Sequence, residues 1–404
     1  MKYINKSLTI ENVKVQNIAK KFGTPFYCYS YKKLKENITN FKRNFNSFSR
    51  LICFAIKSNT NVNLVREIRK LGLGADVVSM GELMLALKAG VEPKKIVFSG
   101  VGKTSAEISY AIDKEILLIN AESKSEIGEI NKIAKFKKKT VNIGIRLNPN
   151  TDAKTLKQIS TGKKENKFGV DEKTFFELVS HSNISKHVNL KCLSVHIGSQ
   201  ILDYKPYEKM LRVVGDIIKK SNHIFEYVDL GGGMGISYEN KDKKLNYKKY
   251  SVAIKKFLKN NESKIIFEPG RSIVGNIGSL ISKVIYIKEN KKKDFVILDA
   301  AMNDLMRPAL YGTTHRTMPV LKTNQISKKV YDFVGPICES TDKFTTLKKF
   351  QKLKEKDLIV MCDVGAYGMS LSSNYNMRPK PIELLIKGSK INVIKKRQKL
   401  KDLF

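Results

Sequence analysis

The sequence predicts an α/β protein, a closed (β/α)8 barrel followed by a β-rich domain, and three observations support this fold class. Short β-branched runs alternate with amphipathic stretches of about a dozen residues, which is the pattern of consecutive βα units. Eight such runs fall within about 220 residues, which suits a closed barrel. After Arg271, strand-like runs continue between loops without regular helices, which indicates a β-rich second domain. An open sheet with a miscounted strand remains the alternative.

The length of the chain allows this organisation. Its 404 residues are enough for two or three domains, or for a barrel of about 250 residues with a smaller domain. We expect an amino-terminal segment at 1–28 that packs with the β domain, the barrel at 29–272 and the β domain at 273–404.

The elements follow in chain order. A strand is predicted at 24–29 and a lysine-rich helix at 32–45. The predicted barrel strands are 51–56, 75–79, 95–99, 116–120, 142–148, 191–197, 226–230 and 264–268. The helices predicted between them include 63–71, 81–89, 124–136, 171–181, 207–220 and 247–258. The second domain has predicted strands at 279–288, 295–299, 330–334 and 358–363.

Cysteine usage narrows the class of protein. The five cysteines form an odd set without a C-x-x-C pair: Cys28, Cys53, Cys192, Cys338 and Cys362. This pattern argues against a disulfide framework and against a tetrahedral zinc site, and we expect no bound metal. A single reactive thiol is still compatible with it.

The chain is strongly basic, with 75 Lys and Arg against 38 Asp and Glu and a formal net charge of +37. Such a charge raises a nucleic-acid hypothesis, since clustered basic groups gain affinity by releasing counterions. The lysines are scattered over predicted helix faces and no aromatic-basic module accompanies them. We therefore expect no specific nucleic-acid partner, although the field should attract anionic small molecules.

The sequence also bears on membranes and location. No apolar stretch approaches the ~18 residues of a membrane span. The first seven residues lack the apolar segment of a signal peptide. We expect a cytoplasmic protein without a membrane partner.

Polar side chains collect at the predicted carboxyl ends of the barrel strands, where barrels of this kind place their chemistry. They supply an amine, an imidazole, carboxylates, guanidinium groups and a glycine loop on one face. These residues are Lys57, Asp76, Ser79, Arg146, His196, Ser199, Gly231, Gly232, Gly233, Glu268 and Arg271.

Each of these groups has a structural reading as well as a chemical one. Taken singly, Lys57 could be a solvated loop lysine and His196 a core histidine with its hydrogen bonds satisfied. Glu268 could form an ion pair with Arg271. A glycine loop after strand seven brings backbone N–H groups close to an anion, as a phosphate site requires. Together, an amine able to form a Schiff base, a phosphate loop and an acid for a ring nitrogen favour pyridoxal phosphate, PLP.

The chain resembles the fold-type III PLP-dependent decarboxylases, the alanine-racemase-like barrel group, and within it the diaminopimelate-specific branch. The resemblance extends from Phe26 to about Gly388. It is carried, in chain order, by the motifs FAIKSN (54–59), HIGSQ (196–200), GGG (231–233), EPGR (268–271), RPALY (307–311), GPICESTD (335–342) and GAY (365–367).

The resemblance implies roles for the barrel residues. Lys57 would hold PLP covalently, His196 would stack on its ring, and Glu268 would bind the ring nitrogen. Asp76 and Arg146 match positions that line the cofactor. The phosphate would be held by Ser199, Gly231, Gly232, Gly233, Gly270, Arg271 and Tyr367.

It also implies roles for the second domain. The loop with Cys338 and Glu339 would reach into the site of a partner subunit, so catalysis would require a homodimer. Cys338 would donate a proton after carbon dioxide leaves, although a buried small hydrophobe is its ordinary reading. Glu339 would receive the distal ammonium of the substrate. Its distal carboxylate would meet Arg271, Arg307 and Tyr311, with Tyr367 nearby.

The expected activity is decarboxylation of meso-2,6-diaminopimelate to L-lysine, and two other functions remain open. A decarboxylase of the same fold acting on ornithine, arginine or carboxynorspermidine would differ mainly at Glu339, Arg307 and Tyr311. An RNA-binding protein on a degenerate barrel would explain the charge and would leave the cofactor motifs unexplained.

Overall fold

The computed structural model describes residues 1–153, 155, 159, 161–162, 165–182, 186–238 and 244–404. Its strands are β1 Lys2–Ile4, β2 Ser7–Ile10, β3 Val13–Lys14, β4 Phe26–Ser30, β5 Arg50–Ala55, β6 Gly74–Val77, β7 Ile96–Phe98, β8 Leu118–Ala121, β9 Val141–Arg146, β10 Val188–Ser194, β11 Tyr227–Asp229, β12 Lys264–Phe267, β13 Gly278–Lys288, β14 Lys293–Leu298, β15 Thr317–Pro319, β16 Val330–Val334, β17 Lys343–Leu347, β18 Leu358–Cys362, β19 Ile382–Lys387 and β20 Lys390–Lys395.

Helices precede, alternate with and follow the strands of the barrel along the chain. They are α1 Val15–Phe22, α2 Tyr31–Asn44, α3 Val62–Lys70, α4 Met80–Lys88, α5 Ser105–Asp113, α6 Lys124–Phe136, α7 Glu172–Ser182, α8 Lys205–Ser221, α9 Tyr247–Leu258, α10 Arg271–Val274 and α11 Arg307–Tyr311. Among the helices in the described ranges, none combines the length and apolar character needed to cross a membrane.

The chain divides into two compact units. The barrel unit comprises Ile38–Ile236 and Lys243–Ser272. The β-rich unit comprises Met1–Asn37, Ser237–Asp242 and Ile273–Phe404.

The barrel unit is built on strands β5 to β12, which pair in parallel in sequence order. The ring closes where β12 pairs with β5, for example Ile266 opposite Leu51. The predicted closed barrel is therefore confirmed, and each of its eight predicted strands overlaps an observed one. The second strand ends earlier than predicted because Ser79 caps α4, its side chain accepting the Glu82 N–H.

Part of the core of the barrel is apolar. A cluster of fully buried residues fills it: Cys53, Val97, Leu118, Cys192 and Ile266. Phe267 of β12 packs against Phe41 of α2 and against Phe45, which directly follows that helix. Its ring centroid lies 5.5 Å from that of Phe41 and 4.7 Å from that of Phe45. Aromatic packing thus fixes the end of β12, the point from which Glu268 follows.

The β-rich unit contains a mixed sheet in the order β17-β16-β14-β13-β4-β19-β20, with β18 pairing with β13 and β15. Strand β4 lies antiparallel to β13 and parallel to β19, so the amino-terminal segment supplies a central strand. Strands β1, β2 and β3 form a separate small sheet. The expectation that this region lacks regular helices is wrong, because the RPALY motif forms α11. Pro308 suits the first turn of a helix.

Candidate active site

Lys57 lies in a single 3-10 turn, Ile56–Ser58, directly after β5. Ser58 Oγ donates to the Ala55 carbonyl at 2.7 Å, and the Asn59 N–H donates to the Ile56 carbonyl at 2.9 Å. The turn breaks the strand at once and directs one amine out of a buried apolar run. The strand and the turn thus deliver Lys57 to the carboxyl end of the barrel.

Asp76 is the partner of that amine. It lies on β6, opposite Ala55 in the register, and its Oδ2 is 3.1 Å from Lys57 Nζ. The Asp76 side chain has no exposed surface, and its Oδ1 has no hydrogen-bond partner within the described residues. A buried carboxylate oxygen without a donor requires an explanation, and a ligand that brings a donor supplies one.

The EPGR turn packs directly against the Lys57 turn. The Ala55 N–H donates to the Pro269 carbonyl at 3.2 Å. A β-carbon on Gly270 would lie 2.9 Å from Ser58 Oγ. Glycine is therefore required by close approach, and two motifs about 210 residues apart in the sequence pack together.

His196 is held as a neutral imidazole. The Gly232 N–H donates to its Nδ1 at 3.1 Å, so the ring proton resides on Nε2. Burial, together with the positive charges of Arg146 and Lys57, holds the pKa of His196 well below its usual value of 6.5. The side chain is partly exposed. A flat, uncharged ring thus borders the site.

The glycine loop after β11 is shaped mainly by packing. Its first two amides are used within the protein, because the Gly231 N–H donates to Asp229 Oδ1 at 2.9 Å and the Gly232 N–H to His196. A β-carbon on Gly232 would lie 2.2 Å from the Glu268 carbonyl oxygen, and one on Gly233 2.3 Å from the Gly198 carbonyl oxygen. Phosphate binding by the amides of residues 231 and 232 would require these bonds to be exchanged.

Gln200 of the HIGSQ motif clamps the far side of the same loop. Its Nε2 donates to the Ile236 carbonyl at 2.6 Å, and its Oε1 accepts the Ile236 N–H at 3.2 Å. Two bonds from one side chain fix the loop after β10 to the loop after β11. Gln200 thereby has a structural role that the motif alone did not reveal.

Two arginines of the barrel unit are held by specific partners. The buried Arg271 donates through Nη2 to Ser199 Oγ at 3.2 Å, which joins α10 to the loop after β10. Arg146 Nη1 is 3.0 Å from Glu122 Oε1, and its guanidinium lies 4.8 Å from the Phe168 ring centroid. Sequence reasoning missed Glu122, although it also follows a barrel strand, β8.

A buried polar network lies behind Glu268. Asn120 Nδ2 is 3.0 Å from Asp229 Oδ2 and 3.2 Å from Ser99 Oγ, and Ser99 Oγ donates to Glu268 Oε1 at 3.3 Å. Ser194 Oγ donates to Asp229 Oδ2 at 3.3 Å. Sequence reasoning missed Asn120, Asp229, Ser99 and Ser194, whose common signal is a polar residue at or near the carboxyl end of a barrel strand.

The acids in this network share an unusual electrostatic environment. Burial, together with the charges of Asp229 and Asp76, raises the pKa of Glu268 well above its ordinary range. Burial also raises the pKa of Asp229 to about 6. Removing a carboxylate from water disfavours its charged form, so these acids stay protonated to a higher pH than exposed carboxyl groups do.

In the β-rich unit, Arg307 is buried on α11. Its guanidinium lies 4.5 Å from the Tyr238 ring centroid, and its Nη1 is 2.8 Å from His315 Nε2. His315 Nδ1 is 2.9 Å from the Cys362 carbonyl oxygen, which only accepts, so Nδ1 carries the proton and Nε2 accepts from Arg307. Tyr311, four residues further along, is partly exposed.

The loop after β16 presents Cys338 and Glu339. Cys338 is exposed, whereas Asp342 is buried beneath the loop and accepts the N–H groups of Met302 and Ile337, both at 2.7 Å. Glu339 accepts from the Tyr375 hydroxyl and from Thr341 Oγ1. The interpretation of Cys338 as a buried small hydrophobic residue is therefore wrong. The loop exposes the side chains of both Cys338 and Glu339.

Tyr367 is a partly exposed residue of the β-rich unit with a φ of 57°, in the left-handed region that disfavours most side chains. It belongs to the GAY motif, whose Gly365 approaches so closely that a β-carbon there would lie 1.9 Å from the Val274 carbonyl oxygen. Close packing around Gly365 thus fixes the backbone from which Tyr367 projects.

The barrel unit therefore brings together Lys57, Asp76, His196, Ser199, Glu268 and Arg271, as expected from sequence. These groups fit pyridoxal phosphate on their chemistry: an amine for the aldehyde, a buried acid for the ring nitrogen, and guanidinium and hydroxyl groups for the phosphate. The unpartnered Asp76 Oδ1 is consistent with a ligand at this position. Fold and site together define a PLP-dependent enzyme of the barrel type.

Residues 31–275 match the family described as pyridoxal-dependent decarboxylase, pyridoxal binding domain, and the chain belongs to this family. It is 40% identical to a diaminopimelate decarboxylase of Aquifex aeolicus, over 98% of this chain and 95% of that protein. It is 43% identical to that of Helicobacter pylori strain J99, over 95% of each chain. A crystal structure of the H. pylori enzyme complexed with L-lysine superposes with a TM-score of 0.92 at 42% identity, covering 96% of this chain and 98% of the other.

Proposed function

We propose that the protein catalyses the PLP-dependent decarboxylation of meso-2,6-diaminopimelate to L-lysine and carbon dioxide. The observation that carries this proposal is the convergence of the Lys57–Asp76 pair and the buried Glu268 at one end of a barrel whose relatives are diaminopimelate decarboxylases. A relative crystallised with L-lysine, the product of this reaction, supports the substrate.

The barrel residues would hold the cofactor. Pyridoxal phosphate, when bound, supplies an aldehyde that combines with amines and a ring that accepts the electrons of the departing carboxylate bond. Lys57 is the amine that anchors it, and Asp76 keeps Lys57 Nζ in place. Glu268 would hydrogen-bond to the ring nitrogen and stabilise its proton, and neutral His196 would contact the ring without adding charge.

Phosphate recognition falls to donors that surround the glycine loop. Arg271 and Ser199 are already joined, so one guanidinium and one hydroxyl are positioned together. Gly233, Gly270 and Tyr367 complete the proposed set, and Gly231 and Gly232 shape the loop by close packing. Arg146, fixed by Glu122, is proposed to line the same site.

Substrate selection is assigned to the β-rich unit. The planar guanidinium of Arg307, stacked on Tyr238, suits bidentate binding of the distal carboxylate, with Tyr311 and Arg271 as further donors. Glu339 would bind the distal ammonium, and Cys338 would donate the proton that replaces the lost carboxylate. Because Cys338 and Glu339 face outward, we propose that they serve the site of a second copy in a homodimer.

A paired assay tests the substrate. Purified enzyme loaded with PLP is supplied with meso-diaminopimelate or with ornithine, and released carbon dioxide is measured. We expect release from diaminopimelate only, and none from the Lys57→Ala variant. Release from ornithine and none from diaminopimelate would contradict the proposal and favour an ornithine-type activity.

A further inference from the structure

Asp229 is a buried acid that has no role in the proposed reaction. It lies beside Glu268, which does have one. Asp229 ends β11 and pairs in register with Ile266 of β12. Glu268 follows Ile266 by two positions, so its side chain points to the same side of the sheet. The backbone bond from the Glu268 N–H to the Gly231 carbonyl, 2.8 Å, continues this pairing past the strand ends.

The hydrogen-bond donors around the two acids are unequally shared. Asp229 accepts from the Gly231 N–H at 2.9 Å, from Asn120 at 3.0 Å and from Ser194 at 3.3 Å. Glu268 accepts from Ser99 at 3.3 Å. Donors stabilise the charged form of a carboxyl, so the anion belongs on Asp229 and the proton on Glu268.

The two carboxyl groups also lie within hydrogen-bonding contact of each other. Two carboxylates cannot form such a bond unless one of them carries a proton. Other ionisable groups face the pair from the neighbouring elements, namely Lys57, Asp76, Cys53, Cys192 and Tyr250. Of these groups, Lys57 alone carries a positive charge. A single positive charge does not balance the three buried acids Asp76, Asp229 and Glu268 if all are ionised.

We propose that Asp229 and Glu268 hold one proton between them, and that Asp229 is a positioning residue that sets how much negative charge Glu268 presents to the cofactor. The second part rests on the proposed role of Glu268 at the ring nitrogen. In the unloaded protein, the Glu268 hydroxyl donates to the Asp229 carboxylate. When Glu268 meets a protonated ring nitrogen, it passes its proton to Asp229 and accepts from the ring, so no proton leaves the site.

Infrared titration of the cofactor-free protein tests the shared proton, because protonated carboxyl groups have a distinct carbonyl band. The Glu268 band is identified as the one lost in Glu268→Gln at neutral pH. In Asp229→Asn the pH at which this band disappears should fall by at least about one unit, since an adjacent negative charge is removed. In Ser194→Ala the pH at which the Glu268 band disappears should rise. Asp229 loses a hydrogen-bond donor there, so the state in which both Asp229 and Glu268 are ionised becomes less stable.

Asp304→Asn is the matched control. Asp304 is a buried acid of the β-rich unit whose pKa burial raises to about 6, and its replacement should leave the Glu268 band unchanged. The shared-proton proposal is overturned if the midpoint of the Glu268 band is unchanged in Asp229→Asn. It is also overturned if the midpoint shifts in the same direction in Asp229→Asn and Ser194→Ala. Should Asp229→Asn fail to fold, the direction seen in Ser194→Ala still decides. These readings use the unloaded protein, so failure of the decarboxylation assay would leave them intact.

Discussion

Lys57 Nζ lies 3.1 Å from Asp76 Oδ2, which joins a lysine side chain that is 39% exposed to an aspartate side chain with no exposed surface. The second Asp76 oxygen has no hydrogen-bond partner in the described part of the chain. The pair therefore has two functions: it orients the proposed anchoring amine, and it neutralises a charge that β6 buries.

Lys57→Ala should destabilise the cofactor-free protein by about 1–2 kcal/mol, less than the loss of a fully buried partner because Lys57 is partly exposed. Adding Asp76→Asn should restore part of this stability, because the stranded charge is then removed. Urea unfolding of the two single variants and the double variant measures the coupling. If the loss of stability in the double variant equals the sum of the losses in the two single variants, the buried-charge interpretation is contradicted.

Gly232→Ala should lower the free energy of unfolding by about 1–3 kcal/mol, because its β-carbon would meet the Glu268 carbonyl oxygen at 2.2 Å. Affinity for pyridoxal phosphate should fall as well, since Glu268 must move. Gly128→Ala is the matched control: no heavy atom lies within 4 Å of its added β-carbon, and alanine in α6 should stabilise by up to about 1 kcal/mol. Equal effects of the two changes would argue against the close packing.

His196 should make the cofactor-free protein less stable as the pH falls. Its folded pKa is held well below 6.5, so below about pH 6.5 the unfolded chain binds a proton that the folded protein does not. Stability is then lost by up to about 1.4 kcal/mol per pH unit. His196→Asn should show a shallower loss between pH 7 and pH 5, measured by urea unfolding, whereas His187→Gln at the opposite end of β10 should resemble wild type. An unchanged slope in His196→Asn would contradict a neutral imidazole.

Tyr375→Phe should raise the KM for diaminopimelate by about three- to tenfold with little change in kcat. The reason is that the Tyr375 hydroxyl donates to Glu339, the proposed partner of the distal ammonium. Tyr286→Phe is the control, because Tyr286 is an exposed tyrosine of β13 in the same unit. Steady-state kinetics compares the two. A fall in kcat at constant KM would place Tyr375 in the chemistry instead of in substrate positioning.

Mixing two inactive variants tests the shared site. If Cys338 acts in the partner's site, a mixed dimer of Lys57→Ala and Cys338→Ala contains one site with both groups intact. Random exchange of subunits should then restore roughly a quarter of wild-type activity. The mixture is assayed for carbon dioxide release after mild unfolding and refolding together. No recovery, with mixed dimers verified by mass, would show that each chain supplies its own cysteine.

The sequence predicted the barrel well, because alternating β-branched and amphipathic runs report the βα repeat directly. Lys57, His196 and Glu268 were placed correctly at strand ends for the same reason. Asn120 and Asp229 were missed because their importance lies in contacts between different strands, which a single chain pattern does not reveal. The Arg307–His315 pairing also depends on a tertiary contact, in this case between α11 and the following loop.

The glycine loop illustrates a different limit. Three consecutive glycines predict a phosphate loop, yet the Gly231 and Gly232 amides bind Asp229 and His196. Glycine permits both a ligand and a close backbone approach, so composition alone does not distinguish the two causes. The distance from the added β-carbon to the Glu268 carbonyl oxygen shows that close approach alone already requires glycine at position 232.

The central claim is that one amine, Lys57, anchors pyridoxal phosphate in a chain that holds 75 Lys and Arg residues. Reduction of the loaded enzyme with borohydride, followed by digestion and mass analysis, locates the anchored lysine directly. We expect one equivalent of the reduced adduct per chain on the peptide that contains Lys57, and none in Lys57→Ala. An adduct on another lysine, with residue 57 unmodified, would contradict the account.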